Sequence, residues 1–386
     1  MVRVAVVGVG KMGLSHLALL RAHPDVEIAA ICDSNGYVLD VLSKNTGLTA
    51  VKDYAALIAR DDVDAVVIAT PTHAHYPMVK AALERGLHVF CEKPLTLEVE
   101  HSNELAELAR SKGLHAQVGY HNRFVAAFAE AKRLLDAGAI GEVRHAQAEA
   151  YGPVVLRAKG ATWRSRRSEG GGCLYDYAAH PLDLLTWYLG EPTAVGGTVL
   201  GTIFSASTED EVYSTLFYDG RVSAQLSVNW SDESYRKMST KVTLTGTTGR
   251  ISVDRQECQV YLRDTAVVPE GYEVGWNVRY TTDLTPPVWF YIRGEEYSAE
   301  LDHFVRAVDG TLPAQTPADL NSFASAAVTD RVIASMLQDA QQDAGRTAVP
   351  SATSAGPAAG PTAPVSARGR RRERWTRRST RRRGAA

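Results

Sequence analysis

Short apolar runs alternate with amphipathic segments over the first third of the chain. The apolar runs predict strands at residues 2–7, 26–32, 64–69, 87–91 and 115–118. The segments between and after them predict helices at residues 11–22, 36–45, 53–60, 74–85 and 98–112. Strands that alternate with helices form a parallel sheet that is covered on both faces. Residues 1–122 are therefore predicted to form one α/β domain around such a sheet.

The pattern changes after residue 122, where runs of β character follow one another with few helices between them. We expect strands at 142–151, 195–204, 211–218, 221–230, 239–246 and 249–254, and helices at 123–138, 174–189, 295–309 and 318–342. Residues 272–297 are aromatic-rich and read as irregular. Short turns such as residues 218–221 join neighbouring antiparallel strands. Residues 123–343 are therefore predicted to form a second α/β domain with an open, mainly antiparallel sheet.

Residues 344–386 shift in composition to Ala, Gly, Pro, Ser and Thr, followed by arginines. Such a segment cannot bury enough apolar surface to order itself, so we expect a disordered tail. Residues 368–383 hold 10 Arg and one Glu, which leaves 32 basic and 43 acidic residues in the rest of the chain. That acidic body argues against nucleic-acid binding by the folded part. Attachment of the tail to an anionic surface or nucleic acid stands beside the simpler interpretation, a dispensable extension.

Cysteine usage and hydropathy indicate a cytoplasmic protein. Four cysteines are scattered without metal-ligand spacing, and Cys32 and Cys91 fall on predicted inner strands, where free cysteine acts as a small apolar residue. This usage is typical of a reducing compartment. The first strand begins at residue 2, so we expect no leader peptide. No apolar run approaches the roughly 20 residues that a membrane span needs.

A motif with three glycines begins directly after the first predicted strand. Gly8, Gly10 and Gly13 have the spacing G-x-G-x-x-G, and Lys11 and Met12 stand between the last two. Glycines at this spacing permit a tight turn, close approach of a pyrophosphate, and close packing of the helix on the strand. The N-terminus of the following helix favours the phosphate charge. The pattern predicts a dinucleotide site at the start of a Rossmann domain.

The second predicted strand ends beside an acid that fits the same cofactor. Asp33 lies 20 positions beyond Gly13, where a carboxylate accepts hydrogen bonds from the adenosine ribose hydroxyls. Ser34 and Asn35 follow it, with no arginine adjacent, which favours NAD over NADP. A serine beside the ribose also tolerates a 2′-phosphate, so NADP remains an alternative.

A lysine follows the fifth predicted strand. Glu92, Lys93 and Pro94 come directly after this strand, and ligands of an open parallel sheet bind beyond the carboxyl ends of its strands. Lys93 is therefore expected to point into the cofactor crevice, where an ammonium group stabilises the oxygen of a reacting hydroxyl. An ordinary surface lysine is the alternative.

A second group of polar residues begins after the glycine run 170–172. Asp176 and His180 are four residues apart on the predicted helix, which places them within mutual reach. Histidine titrates near neutrality, as a proton acceptor should, and a neighbouring carboxylate would raise its basicity. Asp183 is expected to be structural. Taken alone, a helix-surface pair is the simpler interpretation; beside Lys93 and the dinucleotide motif, catalysis is favoured.

These segments together resemble the glucose–fructose oxidoreductase / inositol dehydrogenase (Gfo/Idh/MocA) family. The matching stretches are residues 6–13, 69–75, 89–95, 119–124 and 170–183. The resemblance implies a Rossmann domain followed by an α/β domain whose open sheet mediates homodimers or homotetramers. It also implies NAD(P)-linked oxidation or reduction of sugars, inositols and related polyols.

The resemblance carries roles to individual positions. Lys93 polarises the reacting hydroxyl, His180 takes its proton, and Asp176 binds substrate and tunes His180. The further cofactor-binding positions are Thr70, Pro71, His73, His75, Glu92, Asn122 and Arg123. The further substrate-binding positions are Tyr120, Arg123, Arg164 and Tyr235. A solvated basic loop that includes Arg166 and Arg167 is the alternative for Arg164.

Other interpretations remain open. His73 and His75 lack a carboxylate triad, so we expect no metal site. A keto-sugar reductase, with a nucleotide-linked sugar among its substrates, would run the same chemistry in reverse. A redox-neutral glycosidase would use bound NAD for transient oxidation. A non-catalytic dinucleotide sensor is disfavoured by the presence of Lys93, Asp176 and His180.

Overall fold

The computed structural model of the protein describes residues 1–157 and 162–343, all within one structural unit. The tail predicted from residue 344 lies outside the described residues. Six parallel strands form the first sheet in the order β3-β2-β1-β4-β5-β6. They are β1 (Val2–Val7), β2 (Val26–Cys32), β3 (Ala50–Val51), β4 (Ala65–Ile68), β5 (His88–Cys91) and β6 (Ala116–Val118). The predicted parallel sheet is confirmed.

Five helices connect these strands and cover both faces of the sheet. They are α1 (Lys11–Arg21), α2 (Gly36–Thr46), α3 (Tyr54–Ile58), α4 (His75–Arg85) and α5 (Val99–Lys112). Alternate residues of β1 face different cores: Val4 and Val6 pack on one side of the sheet, and Ala5 and Val7 on the other. Burial on both faces explains why the strands are almost continuously apolar.

Eight strands form the second sheet, in the order β14-β13-β12-β11-β7-β10-β9-β8. They are β7 (Val143–Tyr151), β8 (Ala194–Gly201), β9 (Glu211–Tyr218), β10 (Val222–Asn229), β11 (Ser239–Gly246), β12 (Gly249–Asp254), β13 (Glu257–Leu262) and β14 (Gly275–Tyr280). Strands β7 and β10 pair in parallel, and the other neighbours pair antiparallel. The sheet is thus mixed and mainly antiparallel.

Two strands of this sheet escaped the sequence pattern. Residues 272–297 are predicted to be irregular, yet they contain β14. Strand β13 is the other strand of this sheet that the sequence pattern does not predict. Strand β14 is the edge strand, and Trp276, Val278 and Tyr280 are its exposed residues. Because its apolar side chains face outward, β14 lacks the inward apolar face by which a strand is recognised.

The remaining helices include α6 (Ala126–Asp136), α7 (Ala179–Leu189), α8 (Thr281–Leu284), α9 (Glu295–Asp309) and α10 (Phe323–Asp343). Helix α7 packs against the inner face of the second sheet, where Ala146, Ala148 and Ala150 of β7 are fully buried. Helix α9 instead packs on the first sheet through Leu301 and Phe304. Among the described residues, no helix combines the length and hydropathy that a membrane crossing requires.

Candidate active site

The three glycines of the first loop have different surroundings. Gly8 has φ +85°, and a Cβ built there would lie 2.7 Å from the Ala69 carbonyl oxygen. A Cβ on Gly13 would lie 1.7 Å from the Gly8 carbonyl oxygen, so both positions require glycine for the fold itself. A Cβ on Gly10 would meet nothing within 4 Å. The open space beside Gly10 fits a cofactor pyrophosphate that approaches the backbone.

Asp33 is held at the end of β2 by two backbone donors. The Val9 N–H donates to its Oδ2 and the Asn35 N–H to its Oδ1, each at 2.8 Å. A carboxylate has about four lone-pair sites, so both oxygens keep capacity for ribose hydroxyls. Ser34 beside it is exposed, as is Lys11 at the start of α1, whereas Met12 is half-buried. The acid therefore has the orientation that the dinucleotide motif requires.

Glu92 is paired with a histidine that sequence reasoning missed. His16, one turn beyond Gly13 on α1, lies with Nε2 2.7 Å from Glu92 Oε1, and its side chain is buried. Burial favours the neutral acid, but His16 and Lys93 outweigh it and hold the pKa of Glu92 below its usual range. The only signal for His16 was a polar residue on the apolar face of α1.

Lys93 and Asp176 meet across the two halves of the chain. The Lys93 ammonium donates to the Asp176 carboxylate Oδ1 and to its backbone carbonyl, each at 2.8 Å. Arg164 donates through Nε to the other oxygen, Oδ2, at 3.1 Å. Both cations lower the pKa of Asp176 against the opposing effect of its burial. The structure thus brings together three residues that the sequence predicts for one site.

His180 is in the same region but does not pair with Asp176. Residues 174–178 form a π-helical turn ahead of α7, which changes the spacing on which the expected contact depended. Within the described part of the chain, Asp176 makes no hydrogen bond to His180. Burial, Lys93 and Arg255 lower the pKa of His180 well below its usual value. The expectation that Asp176 raises the basicity of His180 is therefore wrong.

Two aromatic neighbours surround His180. The Tyr120 ring lies edge-on at 6.3 Å between centroids, and the His121 ring at 4.9 Å. Both side chains are buried. Tyr120 had been expected near the substrate, whereas His121 had not been singled out. Its position in the matching stretch 119–124 was the available signal.

The predicted cofactor positions after β4 divide into two groups. Pro71 and His73 are exposed and Thr70 is half-buried, as a ribose-facing edge requires. His75 instead is buried, with Nε2 3.0 Å from the Thr70 carbonyl and Nδ1 3.0 Å from the Pro94 carbonyl. It ties the β4 loop to the loop that carries Lys93, so its role is support rather than the expected cofactor contact. The Lys93–Pro94 peptide bond is cis.

Arg123 and Asn122 lie inside the molecule rather than in an open crevice. The Arg123 guanidinium donates to both carboxylate oxygens of Asp183, at 2.9 and 2.6 Å, and both side chains are buried. This bidentate ion pair corrects the expected cofactor and substrate contacts of Arg123. Asn122 is also buried, and its Oδ1 has no hydrogen-bond partner among the residues that the structure describes. Asp183 is structural, as expected.

Tyr235 packs against the outward face of the second sheet. Its ring stacks on Tyr151 at 5.5 Å, and Tyr151 faces the side of β7 opposite the buried alanines. The predicted substrate contact of Tyr235 therefore stays a prediction, and the structure places its ring against Tyr151. Arg166 and Arg167 pair with Glu169 and Glu209, so Arg164 alone of the three arginines reaches Asp176.

The glycine run 170–172 joins the two halves of the molecule at close range. A Cβ on Gly170 would lie 2.7 Å from the Thr72 hydroxyl, and one on Gly172 would lie 2.2 Å from Glu209 Oε1. Glu209 also accepts from the Leu174 N–H at 2.9 Å, which fixes the start of the turn that carries Asp176. Throughout residues 1–157 and 162–343, no cluster of three or more His, Cys, Asp or Glu is placed to hold a metal.

A parallel sheet with this glycine loop and acid defines a dinucleotide-binding protein, and the Lys93–Asp176 pair follows the carboxyl end of β5 in the same sheet. Comparison with family models agrees. The model described as "Oxidoreductase family, NAD-binding Rossmann fold" matches residues 2–120, and the "GFO/IDH/MocA C-terminal domain" matches residues 128–252. The chain belongs to the Gfo/Idh/MocA family of NAD-binding oxidoreductases.

Curated relatives carry several activities. A dTDP-3,4-didehydro-2,6-dideoxy-alpha-D-glucose 3-reductase of Streptomyces antibioticus is 32% identical over 64% of this chain and 75% of its own length. The scyllo-inositol 2-dehydrogenase (NAD(+)) of Bacillus subtilis is 33% identical over 51% of this chain and 56% of its own length. The chain thus spans little more than half of the second relative.

Solved structures share the whole described fold. Levoglucosan dehydrogenase in complex with NADH superposes with a TM-score of 0.77 at 22% identity, covering 89% of this chain and 97% of that one. GenD2 from gentamicin A biosynthesis, in complex with NAD, gives a TM-score of 0.71 at 26% identity, covering 89% and 95%.

Proposed function

We propose that the protein is a dehydrogenase that moves a hydride between nicotinamide C4 and a secondary hydroxyl or ketone of a cyclic polyol or sugar, an inositol or a pyranose. The observation that carries this proposal is the Lys93–Asp176 pair near His180. Lys93 follows the carboxyl end of β5, in the same parallel sheet whose first strand leads into the glycine loop. The names of the inositol and levoglucosan dehydrogenases support the substrate class.

Lys93 has one donor left for a substrate. An ammonium group has three N–H donors, and two of them go to Asp176. The third can donate to the oxygen of the reacting hydroxyl and stabilise the negative charge that develops there. Asp176 thereby fixes the lysine, and Arg164 fixes Asp176. This is a preorganised electrostatic arrangement, which holds its charge in place before the reaction.

His180 is the proposed base. Bound NAD supplies the acceptor for the hydride that leaves the substrate carbon. His180 accepts the hydroxyl proton, and its low pKa keeps the imidazole neutral at physiological pH, as a base must be. Gly8–Gly13 and Asp33 would hold the pyrophosphate and the adenosine ribose.

A keto-sugar reductase is the second candidate, because the 3-reductase relative aligns over 75% of its own length. Arg164 supports it only in part. Its Nε is bound to Asp176, while Arg166 and Arg167, which would complete a phosphate site, are paired with glutamates. A nucleotide-linked substrate would therefore find one free guanidinium edge here rather than a cluster.

The deciding experiment measures NADH or NADPH formation over inositols, free pyranoses, anhydrosugars and nucleotide sugars, each with NAD and with NADP. A signal with one polyol and NAD is the expected result. Oxidation of NADH by a keto-sugar would establish the reductase instead. If neither formation nor oxidation of NADH or NADPH is detected, although fluorescence shows that NADH binds, the proposal is contradicted. A redox-neutral glycosidase or a sensor would then be favoured.

We further propose that the open face of the second sheet pairs with a second copy of the chain. On this face Tyr261 and Trp276 are cross-strand neighbours, 5.3 Å between ring centroids, and Trp276 is 64% exposed. Phe217 lies on the same face and is also exposed. Light scattering should show an oligomer that Trp276→Glu dissociates, whereas Tyr37→Glu on α2, also exposed, should leave the mass unchanged. A monomeric wild-type chain would contradict this.

The location in the cytoplasm is also a proposal. All four cysteines are buried free thiols, as a reducing compartment allows. Fractionation of cells that express the full chain would test it, and recovery from an oxidising compartment would contradict it.

A further inference from the structure

Two buried histidines pack against each other in the site. The His121 and His180 ring centroids are 4.9 Å apart with the ring planes at 64°. His180 is 5% exposed, and its Nδ1 is buried without a hydrogen-bond partner among the described residues. A catalytic histidine usually has its ring fixed by a bond to the nitrogen that does not react. Asp176 does not provide that bond, so another group must orient His180.

His121 is itself held from the opposite side. Arg255, in the turn between β12 and β13, lies with Nη1 3.5 Å from His121 Nε2. Because a guanidinium can only donate, Nε2 must accept, and the single proton of the neutral ring sits on Nδ1. Tyr297 of α9 stacks on the His121 ring at 4.6 Å between centroids and 22° between planes.

Arg255 is anchored in turn by a buried carboxylate. It forms an ion pair with Glu296 of α9, whose side chain is 7% exposed. Glu296, Arg255 and His121 come from three separate elements, and the contacts from Glu296 to Arg255 and from Arg255 to His121 end at His180. The ion pair is half-buried, because 36% of the Arg255 side chain is exposed. Its location against the second histidine points to a purpose in the site.

We propose that His121, held in one tautomer by Arg255 and Glu296, is a positioning residue that orients the His180 ring for proton transfer from the substrate hydroxyl. This inference rests on the proposed function, in which His180 is the base. It adds that the base takes its orientation from a histidine–arginine–glutamate chain rather than from Asp176.

The charges around His180 give the proposal a pH signature. Lys93, after β5, and Arg255 both face His180, and together with burial they lower its pKa. His121 faces His180 as well, Tyr120 lies on its other side, and Arg293 adds positive charge near His121. Removing the Arg255 charge should therefore raise the pKa of His180. The acidic limb of kcat/KM would then move to higher pH.

Three variants test the chain of contacts. Arg255→Met should lower kcat about 10- to 100-fold, because a misplacement of about 1 Å can cost roughly 100-fold, and should move the acidic limb upward. Arg255→Lys keeps the charge but loses the planar fork, so kcat should fall while the limb stays in place. His121→Phe keeps the stacking ring without its nitrogens and should lower kcat while NADH affinity is retained.

The controls separate this inference from the proposed function. Arg250→Met, on the outward face of β12, should change neither kcat nor the pH profile. Thermal unfolding and NADH binding identify variants that fail to fold, and Glu296→Gln then replaces Arg255→Met with the same predicted loss of kcat. If His180→Ala is inactive while Arg255→Met, Arg255→Lys and His121→Phe match the wild type in kcat and pH profile, the positioning role is overturned. If His180→Ala retains turnover, the proposed function itself has failed.

Discussion

Lys93 donates to both the side chain and the backbone carbonyl of Asp176, each at 2.8 Å. The two residues are 83 positions apart in the sequence. Lys93 follows a strand of the first sheet, and Asp176 precedes the helix that packs on the second sheet. The double contact ties the loop after β5 to the turn before α7. Arg164 donates to the other carboxylate oxygen of Asp176 at 3.1 Å, so both oxygens are paired with cations and His180 must work without that carboxylate.

Lys93→Ala and His180→Ala should each lower turnover strongly. Loss of a positioned proton-transfer group such as His180 costs about 10²- to 10⁴-fold in rate. Loss of a donor to a developing oxyanion, the role of Lys93, costs about 10²- to 10³-fold. NADH affinity should change little, because the glycine loop and Asp33 remain intact. Steady-state kinetics on the substrate identified by the panel, with NADH fluorescence titration, would measure both. Lys44→Ala, an exposed lysine on α2, is the matched control, and near-native turnover of either site variant would refute the assigned roles.

Gly10→Ala and Gly13→Ala should fail in different ways. A methyl group on Gly13 would collide with the Gly8 carbonyl at 1.7 Å, so this variant should lose stability and show a lower melting temperature. A methyl group on Gly10 meets no protein atom within 4 Å, so that variant should fold normally. It should nevertheless bind NADH more weakly, because the methyl occupies the pyrophosphate approach. Equal NADH affinity of Gly10→Ala and the wild type would show that the pyrophosphate does not bind beside Gly10.

Arg123→Met should act on stability rather than on cofactor binding. The guanidinium is buried against Asp183, and removing one partner of a buried ion pair typically costs about 3–5 kcal/mol. Arg110→Met, which breaks a fully exposed pair with Glu107, should leave the free energy of unfolding nearly unchanged, because solvent screens such pairs. Chemical denaturation gives both free energies of unfolding. A selective loss of NADH affinity in stable Arg123→Met would instead restore the cofactor contact predicted from the sequence.

Asp330 should make stability fall as the pH rises. It is buried on α10, where it accepts from the Ser102 hydroxyl at 2.7 Å, and burial raises its pKa to about 7. The folded chain therefore retains a proton that the unfolded chain has lost between about pH 4 and pH 7. The free energy of unfolding should lose this contribution as the pH climbs through that window and level off above it.

Asp330→Asn should flatten this dependence, since the amide does not titrate. Urea denaturation at intervals from pH 5 to pH 8 provides the comparison, with Asp40→Asn, an exposed acid on α2, as the control. Parallel stability curves for Asp330→Asn and the wild type would show that Asp330 is ionised throughout.

The sequence by itself determined the fold class and the cofactor motif, because these depend on local signals. Apolar runs that are buried on both faces mark strands β1, β2, β4, β5 and β6, whereas β3, two residues long and partly exposed, gives no such signal. The glycine spacing with Asp33 is set within one βαβ unit. Lys93 was placed by the rule that ligands bind beyond the carboxyl ends of parallel strands. None of these steps needs a contact between distant parts of the chain.

The tertiary structure decided which polar side chains face the site and which are consumed by partners. Arg123 is paired with Asp183, and His75 is hydrogen-bonded to backbone carbonyls. Tyr235 stacks on Tyr151. The π turn before α7 separates Asp176 from His180, although a spacing of four positions would bring them together on a regular α-helix. Side-chain pairing is a property of the packed chain, because each donor bonds whichever acceptor the fold brings near. His16, His121 and Arg255 came to light for the same reason.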